Sequence, residues 1–347
     1  MSSEFIDAIN FLAREKRLDK AVLFEAIETA LVSAYKKNFG GTGNVRVHVD
    51  RDSGEIQVYA LKRVVPQVVD VLAEISQSDA KALNPAYQSG DICEERVTPK
   101  NFGRVAAQTA KQIVVQRIRE AERGLIYEEF TNRESDIVSG IVQRADARNV
   151  IIDLGKVEAV MPPSERVAGE VYRAGQRLKT YVLEVRKTTK GPQVTVSRSH
   201  PGLLKRLLEL EVEEIHDGIV ELKSVAREAG SRSKVAVSSR DPNVDPVGAC
   251  VGQKGMRIQV IVNELGNEKI DVIAYTSDPA LYVANALSPA KVVRVEIDET
   301  AKIARVVVPD YQLSLAIGKE GQNARLAAKL TGWKIDIKSE SQALQQG

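Results

Sequence analysis

An approximate repeat in the C-terminal part of the sequence constrains the fold more than any other feature. In each copy a short apolar segment precedes a Gly-x-x-Gly tetrapeptide, and a longer amphipathic segment and a strand pattern follow it at matching distances. The first tetrapeptide is Gly252-Gln253-Lys254-Gly255 and the second is Gly318-Lys319-Glu320-Gly321. The repeat predicts two copies of one α/β unit, each with a glycine-framed loop between two helices.

Periodicity predicts the elements of both copies. The first copy is expected to contain a helix over 213–229, a strand over 233–237, helices over 246–251 and 256–265, and a strand over 269–274. The second is expected to contain a helix over 279–287, strands over 292–297 and 303–308, helices over 312–317 and 322–330, and a strand over 334–337.

Gly-x-x-Gly alone is a weak motif. With 23 glycines in 347 residues, about 1.5 such patterns arise by chance, and the chain has three. We interpret the third, Gly40 to Gly43, as a helix end and turn, because glycine readily adopts the positive φ needed there. The other two share a context that chance does not supply. Their glycines allow close approach of a sugar-phosphate chain, as in the KH domain, which clamps four nucleotides. The repeat therefore predicts two tandem KH domains, assigned to type II.

The candidate RNA contacts follow from this geometry. Lys254 and Lys319 are expected to neutralise phosphates, and three further residues lie on the helices that follow the loops: Arg257, Asn323 and Arg325. Glu320 opposes the attraction, so the first loop is expected to bind phosphate more strongly. A glycine-punctuated helix pair without a ligand remains the structural alternative.

The only clearly basic segment of the chain is its middle. Residues 131–201 hold 12 basic and 8 acidic side chains, net +4, whereas the whole chain has a formal net charge of +2. Five short β-rich runs occur in this segment, over 137–142, 150–154, 158–161, 178–185 and 194–197. This spacing predicts a five-stranded barrel of the OB type.

The N-terminal segment reads as an α/β domain. Helical spacing covers 5–12 and 23–35, a hairpin pattern covers 45–58, and a long helix is predicted over 103–130. The chain is thus predicted to be a multidomain α+β protein. Its expected parts are an N-terminal domain with the long connecting helix (1–130), the barrel (131–201), two KH domains (202–275 and 276–340) and a disordered tail (341–347).

Catalytic and metal sites have little support in the sequence. The three histidines, His48, His200 and His216, lack metal-ligand spacing. Cys250 lies in an apolar segment, 157 positions from Cys93. No phosphate-binding Gly-x-x-x-x-Gly-Lys pattern occurs. We expect no enzymatic activity, no cofactor and no metal. The absence of a signal pattern and of long apolar runs predicts a cytoplasmic protein without membrane contact.

Three segments resemble one family closely: residues 101–112, 160–165 and 310–327 are similar to the NusA family of bacterial transcription termination and antitermination factors. The resemblance implies an S1 domain for the barrel and an N-terminal domain that docks on RNA polymerase, at the flap of the β subunit near the RNA exit channel. It also implies single-stranded nascent RNA and other Nus antitermination factors as partners, and a monomer. As the docking face we propose the helix around Arg104, Lys111 and Arg117.

Two departures from the family pattern concern the barrel and the chain end. Where generic S1 domains carry stacking residues, this sequence has Arg148, Ile151 and Pro162, so Arg148 is the candidate RNA contact, through phosphate or its guanidinium plane. The acidic C-terminal repeats of some members are missing before Gly347, so no contact with the polymerase α subunit is expected. One alternative is an S1/KH exoribonuclease, which would release nucleoside diphosphates from RNA and phosphate. The other is a translational or ribosome-assembly RNA adaptor, which polymerase binding would distinguish.

Overall fold

The computed structural model describes residues 6, 9–10, 13–14, 19–39, 44–99 and 101–345. The predicted turn at Gly40 to Gly43 and most of the predicted helix over 5–12 lie outside these residues. The chain divides into two compact units, Met1–Leu125 and Ile126–Gly347. In the described ranges no helix is both long and apolar enough to cross a bilayer.

The first unit is an α/β domain built on a four-stranded sheet. Its elements are α1 (Lys20–Phe39), β1 (Asn44–Val49), β2 (Ile56–Val65), β3 (Glu74–Ser76), α2 (Gln77–Leu83), β4 (Ile92–Arg96) and the first part of α3 (Phe102–Thr131). Strand β2 pairs with β1 and β4 antiparallel and with β3 parallel. The core joins the apolar face of α1 to Val47, Val58 and Phe102, as the helical and alternating patterns predict.

The barrel is closed and five-stranded. It consists of β5 (Ile137–Ala145), β6 (Val150–Asp153), β7 (Glu158–Met161), β8 (Arg177–Thr188) and β9 (Gly191–Ser197), in the order β5-β6-β7-β9-β8. Each of the five predicted runs coincides with one of these strands. Alternate side chains such as Val138 and Val142 fill the interior, and Phe130 from the end of α3 packs against them.

The first KH domain departs from the sequence prediction near its start. It contains α4 (Pro201–Glu211), α5 (Glu213–His216), β10 (Val220–Glu228), β11 (Arg232–Ser239), α6 (Pro246–Val251), α7 (Met256–Glu264) and β12 (Lys269–Ala274). The predicted helix over 213–229 is wrong beyond His216, because the chain turns into β10 and pairs antiparallel with β11. A bulge between Leu222 and Ser224 interrupts the alternation that would have indicated a strand.

The second KH domain repeats this arrangement. It contains α8 (Pro279–Ala286), β13 (Arg294–Asp298), β14 (Ile303–Val308), α9 (Leu313–Ile317), α10 (Gln322–Thr331), β15 (Lys334–Ser339) and α11 (Glu340–Leu344). Residues 341–344 therefore form a helix where a disordered tail was predicted. A capping box begins this helix: Ser339 and Gln342 each accept the backbone N–H of the other through their side chains.

One hydrophobic cluster spans the junction of the two KH domains, and the first domain has a second core of its own around Leu204, Val235 and Ile261. Ala226, Ala236 and Ile273 from the first domain belong to the same buried cluster as the centre of the second. Hydrogen bonds cross the junction as well: the buried Lys234 donates to the Ser288 carbonyl (2.7 Å), and the Ser224 hydroxyl donates to the Leu330 carbonyl (2.8 Å). Because core packing resists sliding, the two domains hold a fixed relative position.

A buried arginine joins the barrel to the first KH domain. Arg198, 1% exposed, follows β9 and donates to Glu170 of the barrel and to both the carboxylate and the carbonyl of Glu264 on α7. These charge-assisted bonds replace the water that the guanidinium loses on burial. The barrel and the KH pair are thus linked by a specific contact as well as by the chain.

Candidate nucleic-acid interface

The two Gly-x-x-Gly loops have the same backbone conformation. In the first, φ is 74° at Gly252, 51° at Lys254 and 76° at Gly255; in the second, φ is 76° at Gly318, 52° at Glu320 and 75° at Gly321. Glycine accepts such angles without a Cβ clash, whereas Lys254 and Glu320 are non-glycine residues in the left-handed region. The structure therefore confirms that the repeat produces one loop geometry twice.

The two loop lysines do not occupy equivalent positions in the two loops. Lys254 corresponds in backbone conformation to Glu320, and Lys319 corresponds to Gln253. The first loop thus carries its positive charge at the third position, where the second loop carries a negative charge. All four side chains are exposed, so a ligand can reach them.

The helices that follow the loops begin without a side-chain cap, and their first N–H groups, from Met256 and Gln322, donate to the carbonyls of Gln253 and Lys319. Neither α7, of 9 residues, nor α10, of 10 residues, has a side-chain cap at its first turn. The first N–H groups of a helix have no partner within the helix and lie at the positive end of its dipole. An anion that approaches either loop would meet these groups together with the loop lysine.

Arg257 and Arg325, the arginines predicted one turn beyond the loops, form hydrogen bonds with other groups of the protein. Arg257 donates to both oxygens of Glu214 (3.0 and 2.8 Å) and to the Ala249 carbonyl (2.9 Å). Arg325 donates to the carboxylate of Glu228 in the first KH domain (2.6 and 3.1 Å) and to the Glu320 carbonyl (3.1 Å).

The ion pair between Arg325 and Glu228 connects the second loop to the first domain. The hydrogen bond from Arg325 lowers the pKa of the Glu228 carboxyl below its usual range, and Gln322 adds a further bond to the same carboxylate (2.8 Å). Sequence reasoning missed Glu228 and Glu214, since both lie far from the loops in the chain and no local pattern marks them.

Asn323 differs from its prediction as an RNA contact. Its side chain is 2% exposed, and its Nδ2 group donates to the carbonyls of Leu287 (3.0 Å) and Ala316 (3.1 Å). A Cβ on Gly318 would lie 2.8 Å from the Asn323 backbone nitrogen. Asn323 therefore supports the second loop from behind: its backbone nitrogen and its Cβ lie next to Gly318, and its amide group bonds carbonyls inside the protein.

On the barrel, Arg148 is exposed in the loop between β5 and β6. Its backbone N–H donates to Asp146 (2.8 Å), which leaves the guanidinium free to face solvent. Ile151 is 7% exposed and Pro162 is half-buried, so neither provides the stacking surface that generic S1 domains have at these positions.

The candidate docking residues do not share one helix face. Arg104, Lys111 and Arg117 are all exposed on α3. Seven residues are close to two helical turns, so Arg104 and Lys111 lie on the same side, whereas Arg117 lies about 120° around the helix from Lys111. Arg117 also pairs with Glu120 at 2.9 Å.

The histidines and cysteines are possible catalytic groups, but His48 and His200 form structural contacts and both cysteines are buried. The His200 Nδ1 atom accepts the Gly202 N–H (3.0 Å) and caps α4, and His48 pairs with Glu28 (3.2 Å). Both cysteines are buried, and burial raises the pKa of each thiol, that of Cys250 to about 12. Within the described ranges no three His, Cys, Asp or Glu side chains form a group that could hold a metal ion.

Family models match almost the whole chain in the order that the structure displays. They are the NusA N-terminal domain (residues 4–124), the S1 RNA binding domain (132–197), the NusA-like first KH domain (198–275) and the NusA-like second KH domain (279–345). A transcription termination/antitermination protein NusA from Halalkalibacterium halodurans is 62% identical over 347 residues, which cover 100% of this chain and 91% of that protein. The chain belongs to the NusA family.

Other NusA proteins show the same full-length similarity. The Bacillus subtilis protein is 60% identical over 100% of this chain and 94% of its own length. The Thermus thermophilus protein is 46% identical over 96% of this chain and 89% of its own length. NusA membership therefore covers the N-terminal domain, the barrel and both KH domains, and it confirms the resemblance drawn from the three sequence segments.

Proposed function

We propose that this chain is an RNA-binding transcription elongation factor that docks on bacterial RNA polymerase, at the β flap near the RNA exit channel. There it modulates pausing, termination and antitermination by contacting nascent RNA, as a monomer and together with other Nus antitermination factors. It acts in the cytoplasm by binding alone, without catalysis. The name of the NusA relatives supports the process, and the RNA-binding domain types support the ligand.

The observation that carries the proposal is that the same loop conformation occurs in both KH domains, and that a common buried cluster joins the two domains. Each loop offers helix N–H groups and one lysine to a sugar-phosphate backbone, and each KH unit holds about four nucleotides. Since the loops are fixed relative to each other, they select a strand that is extended across both. RNA held in this way is unavailable for base pairing, and this links binding to the formation of RNA hairpins.

A loop variant tests RNA binding directly. Replacing Gln253, Lys254, Lys319 and Glu320 by Asp puts carboxylates where phosphate is expected, on exposed positions. We expect the affinity for single-stranded RNA to fall by about 100-fold, because lysine contacts are lost and like charges repel the phosphates. The melting temperature should change by only a few degrees, since exposed positions contribute little to stability.

A matched control removes the same positive charge elsewhere in the same unit. The exposed residues Lys205, Lys269 and Gln193 are replaced by Glu; Lys269 lies beyond the end of α7 that is remote from the loop. This variant should keep most of its RNA affinity and its effect on termination in a purified transcription reaction. Equal losses in both variants would mean that net charge, and not the loops, determines RNA binding.

A second experiment addresses polymerase docking with the full chain. Arg104→Glu combined with Lys111→Glu reverses the charge of one side of α3, and Arg117→Glu changes a different side. We expect the double variant to lose retention on core polymerase and the single variant to keep it. If the double variant is still retained on core polymerase, this docking face is wrong. The proposal that the loops bind RNA would not be changed by that result.

A further inference from the structure

The internal repeat places the same helix surface in two different environments. Counted from the loop glycines, α7 of the first KH domain corresponds to α10 of the second. Positions four residues apart lie on one side of a helix, so they form a stripe along it. The corresponding positions of one such stripe are Met256 and Gln322, Val260 and Leu326, and Glu264 and Leu330.

In the second domain, strand β10 of the first domain covers the stripe along its whole length. At the start, the Gln322 side chain donates to Glu228 at the end of β10 (2.8 Å). In the middle, Leu326 is fully buried and lies in one cluster with Ala226 of β10. At the end, the Leu330 carbonyl accepts a hydroxyl of β10 (2.8 Å). An extended strand is therefore the natural cover of this helix surface.

In the first domain only the end of the stripe is covered. Arg198, which follows the barrel, donates to the Glu264 carbonyl (2.8 Å), the position that corresponds to Leu330. The rest of the stripe is open to solvent, since Met256 is 63% exposed and Val260 is 48% exposed. Helix α7 thus lacks the strand that covers α10.

The open part of α7 borders a cavity of about 330 Å³. Its apolar wall is formed by Leu207 of α4 and by Val260 and Ile261 of α7. Lys179 of β8 and Glu211 of α4 line it with charged groups. The volume lies at the lower end of the range for ligand pockets, about 300–1,000 Å³, so the cavity suits a few side chains and not a folded domain.

The end of α4 and the segment after it are acidic. Residues 209–217 contain five carboxylates and no lysine or arginine: Glu209, Glu211, Glu213, Glu214 and Asp217. Glu209 pairs with Arg206, and in the same way Glu214 is neutralised by Arg257. The other three form no ion pair with any described residue. Glu211 therefore places an uncompensated negative charge beside the apolar wall of the cavity.

A second carboxylate lies on the α7 side of the cavity. Arg198 pairs with both Glu170 and Glu264, so these three groups together keep a net charge of −1. Glu264 lines the cavity, and its side chain is 26% exposed. Lys179 is the single cation among the described residues of the lining, and its ammonium group can donate to backbone carbonyls of a ligand.

We call the surface formed by Lys179, Leu207, Glu211, Val260 and Glu264 the α4–α7 groove. We propose that it binds an extended segment of a partner protein in which an apolar residue lies between two basic residues. The comparison with α10 supports the extended form, the apolar wall accepts the central side chain, and the two carboxylates attract the basic ones. In an extended chain, side chains two positions apart face the same way, so all three can face the groove.

This inference goes beyond the proposed function. The α4–α7 groove contains none of the loop positions, and its acidic side repels a phosphate backbone. A basic segment can therefore bind here while RNA occupies the loops.

The test uses the full chain and a labelled nine-residue peptide with the core Lys-Thr-Leu-Thr-Lys, in which threonine favours the extended form. One comparison peptide has alanine in place of leucine, and another has glutamate in place of both lysines. Binding is measured by fluorescence anisotropy at about 0.15 M salt, which screens unspecific attraction between exposed charges.

The groove variant carries Glu211→Lys and Val260→Thr, which reverse one charge and remove apolar surface without touching the loops. The control variant carries Glu299→Lys and Val293→Thr, the same chemical changes at exposed positions of the second KH domain. Both variants should keep their melting temperature within a few degrees, since each changes only exposed or half-buried side chains.

We expect the unmodified chain to bind the lysine peptide at least about tenfold more tightly than either comparison peptide. The groove variant should lose about tenfold in affinity for the lysine peptide, and the control variant less than about twofold. Both variants should bind a single-stranded RNA of about 10 nucleotides as the unmodified chain does, because the loops are intact.

The inference is overturned if the lysine peptide shows no saturable binding up to about 1 mM, or if both variants lose the same affinity. Equal binding of the leucine and alanine peptides would also overturn it, because the apolar wall would then have no role. A groove variant that loses RNA affinity and keeps peptide affinity would show that this surface binds RNA instead. The loop variant tests the proposed function separately from all of these results.

Discussion

Two glycines of the second loop should respond very differently to the same substitution. Gly318 has φ 76° and ψ 172°, a region that is almost restricted to glycine, whereas Gly321 has φ 75° and ψ 13°, the left-handed helical region. A Cβ at Gly318 would lie 2.8 Å from the Asn323 nitrogen and 2.9 Å from the Asn323 Cβ. A Cβ at Gly321 would meet nothing within 4 Å.

The magnitudes follow from these two environments. For Gly321→Ala the strain is about 1 kcal/mol, and the stiffer unfolded chain offsets about half of it or more. For Gly318→Ala the backbone strain is about 1–3 kcal/mol, and the forced contact with Asn323 adds about 1–3 kcal/mol. Asn323 is buried and its Nδ2 group is bonded to the carbonyls of Leu287 and Ala316, so it has little room to withdraw. We expect the two variants to differ by at least about 2 kcal/mol in the free energy of unfolding.

Trp333 provides the assay. It is the only tryptophan of the chain, it is 9% exposed, and it belongs to the buried cluster that spans the two KH domains. Its fluorescence during urea unfolding therefore reports on the KH pair. Gly321→Ala serves as the control for the chemical change itself. Equal losses of stability in the two variants, or a larger loss for Gly321→Ala, would refute the argument from Cβ contacts.

Three further predictions concern buried and paired groups. Glu268→Gln should lower the free energy of unfolding of the KH pair by about 3–5 kcal/mol in the same assay, because it leaves the buried Arg227 without a counter-charge; a loss below 1 kcal/mol would contradict this. Cys93 and Cys250 should both resist a thiol reagent in the folded protein at neutral pH and react after unfolding, since burial raises their pKa values; rapid labelling of native protein would disprove it. The Glu228 pKa is lowered in the folded state, so its pair with Arg325 stabilises the protein above the ordinary carboxyl pKa of 4.5 and is lost as pH falls through the folded value. Glu228→Gln should therefore reduce stability at pH 7 and flatten its acid dependence, as pH-resolved urea unfolding would show.

The elements that could be predicted are those whose burial follows a regular period. In the barrel, burial alternates along β5, β7 and most of β8, and the long helix keeps an apolar side over Phe102, Ala106 and Ala110. Strand β10 could not be predicted because its bulge breaks the alternation and because pairing with β11 decides its conformation. The tail helix depends on its Ser339–Gln342 capping box and on Ser341, which bonds Asp310, 31 residues away.

In the candidate site, too, some features could be predicted from the sequence and others could not. The glycines and loop lysines could be located because the loop geometry is local. The partners of Arg257 and Arg325 could not, because Glu214 and Glu228 lie 43 and 97 residues away in the chain. A positive side chain next to a phosphate-binding loop therefore reads as a ligand contact in the sequence, while in the fold it can be the group that holds the loop in place.

The two loops differ in charge, and the hydrogen bonds of Arg325 suggest how the second loop compensates for this difference. At the third loop position the same backbone carries Lys254 in one domain and Glu320 in the other. Charge alone would make the second loop a poor phosphate site, yet its backbone is the one tied to the neighbouring domain, through Arg325, Glu228 and the Glu320 carbonyl. A loop that is held in place loses less entropy when it binds, so preorganisation offsets part of its missing charge. Under the proposed function we therefore expect the two loops to contribute in different ways to RNA binding: the first by the charge of Lys254, and the second by a backbone that is already held in place.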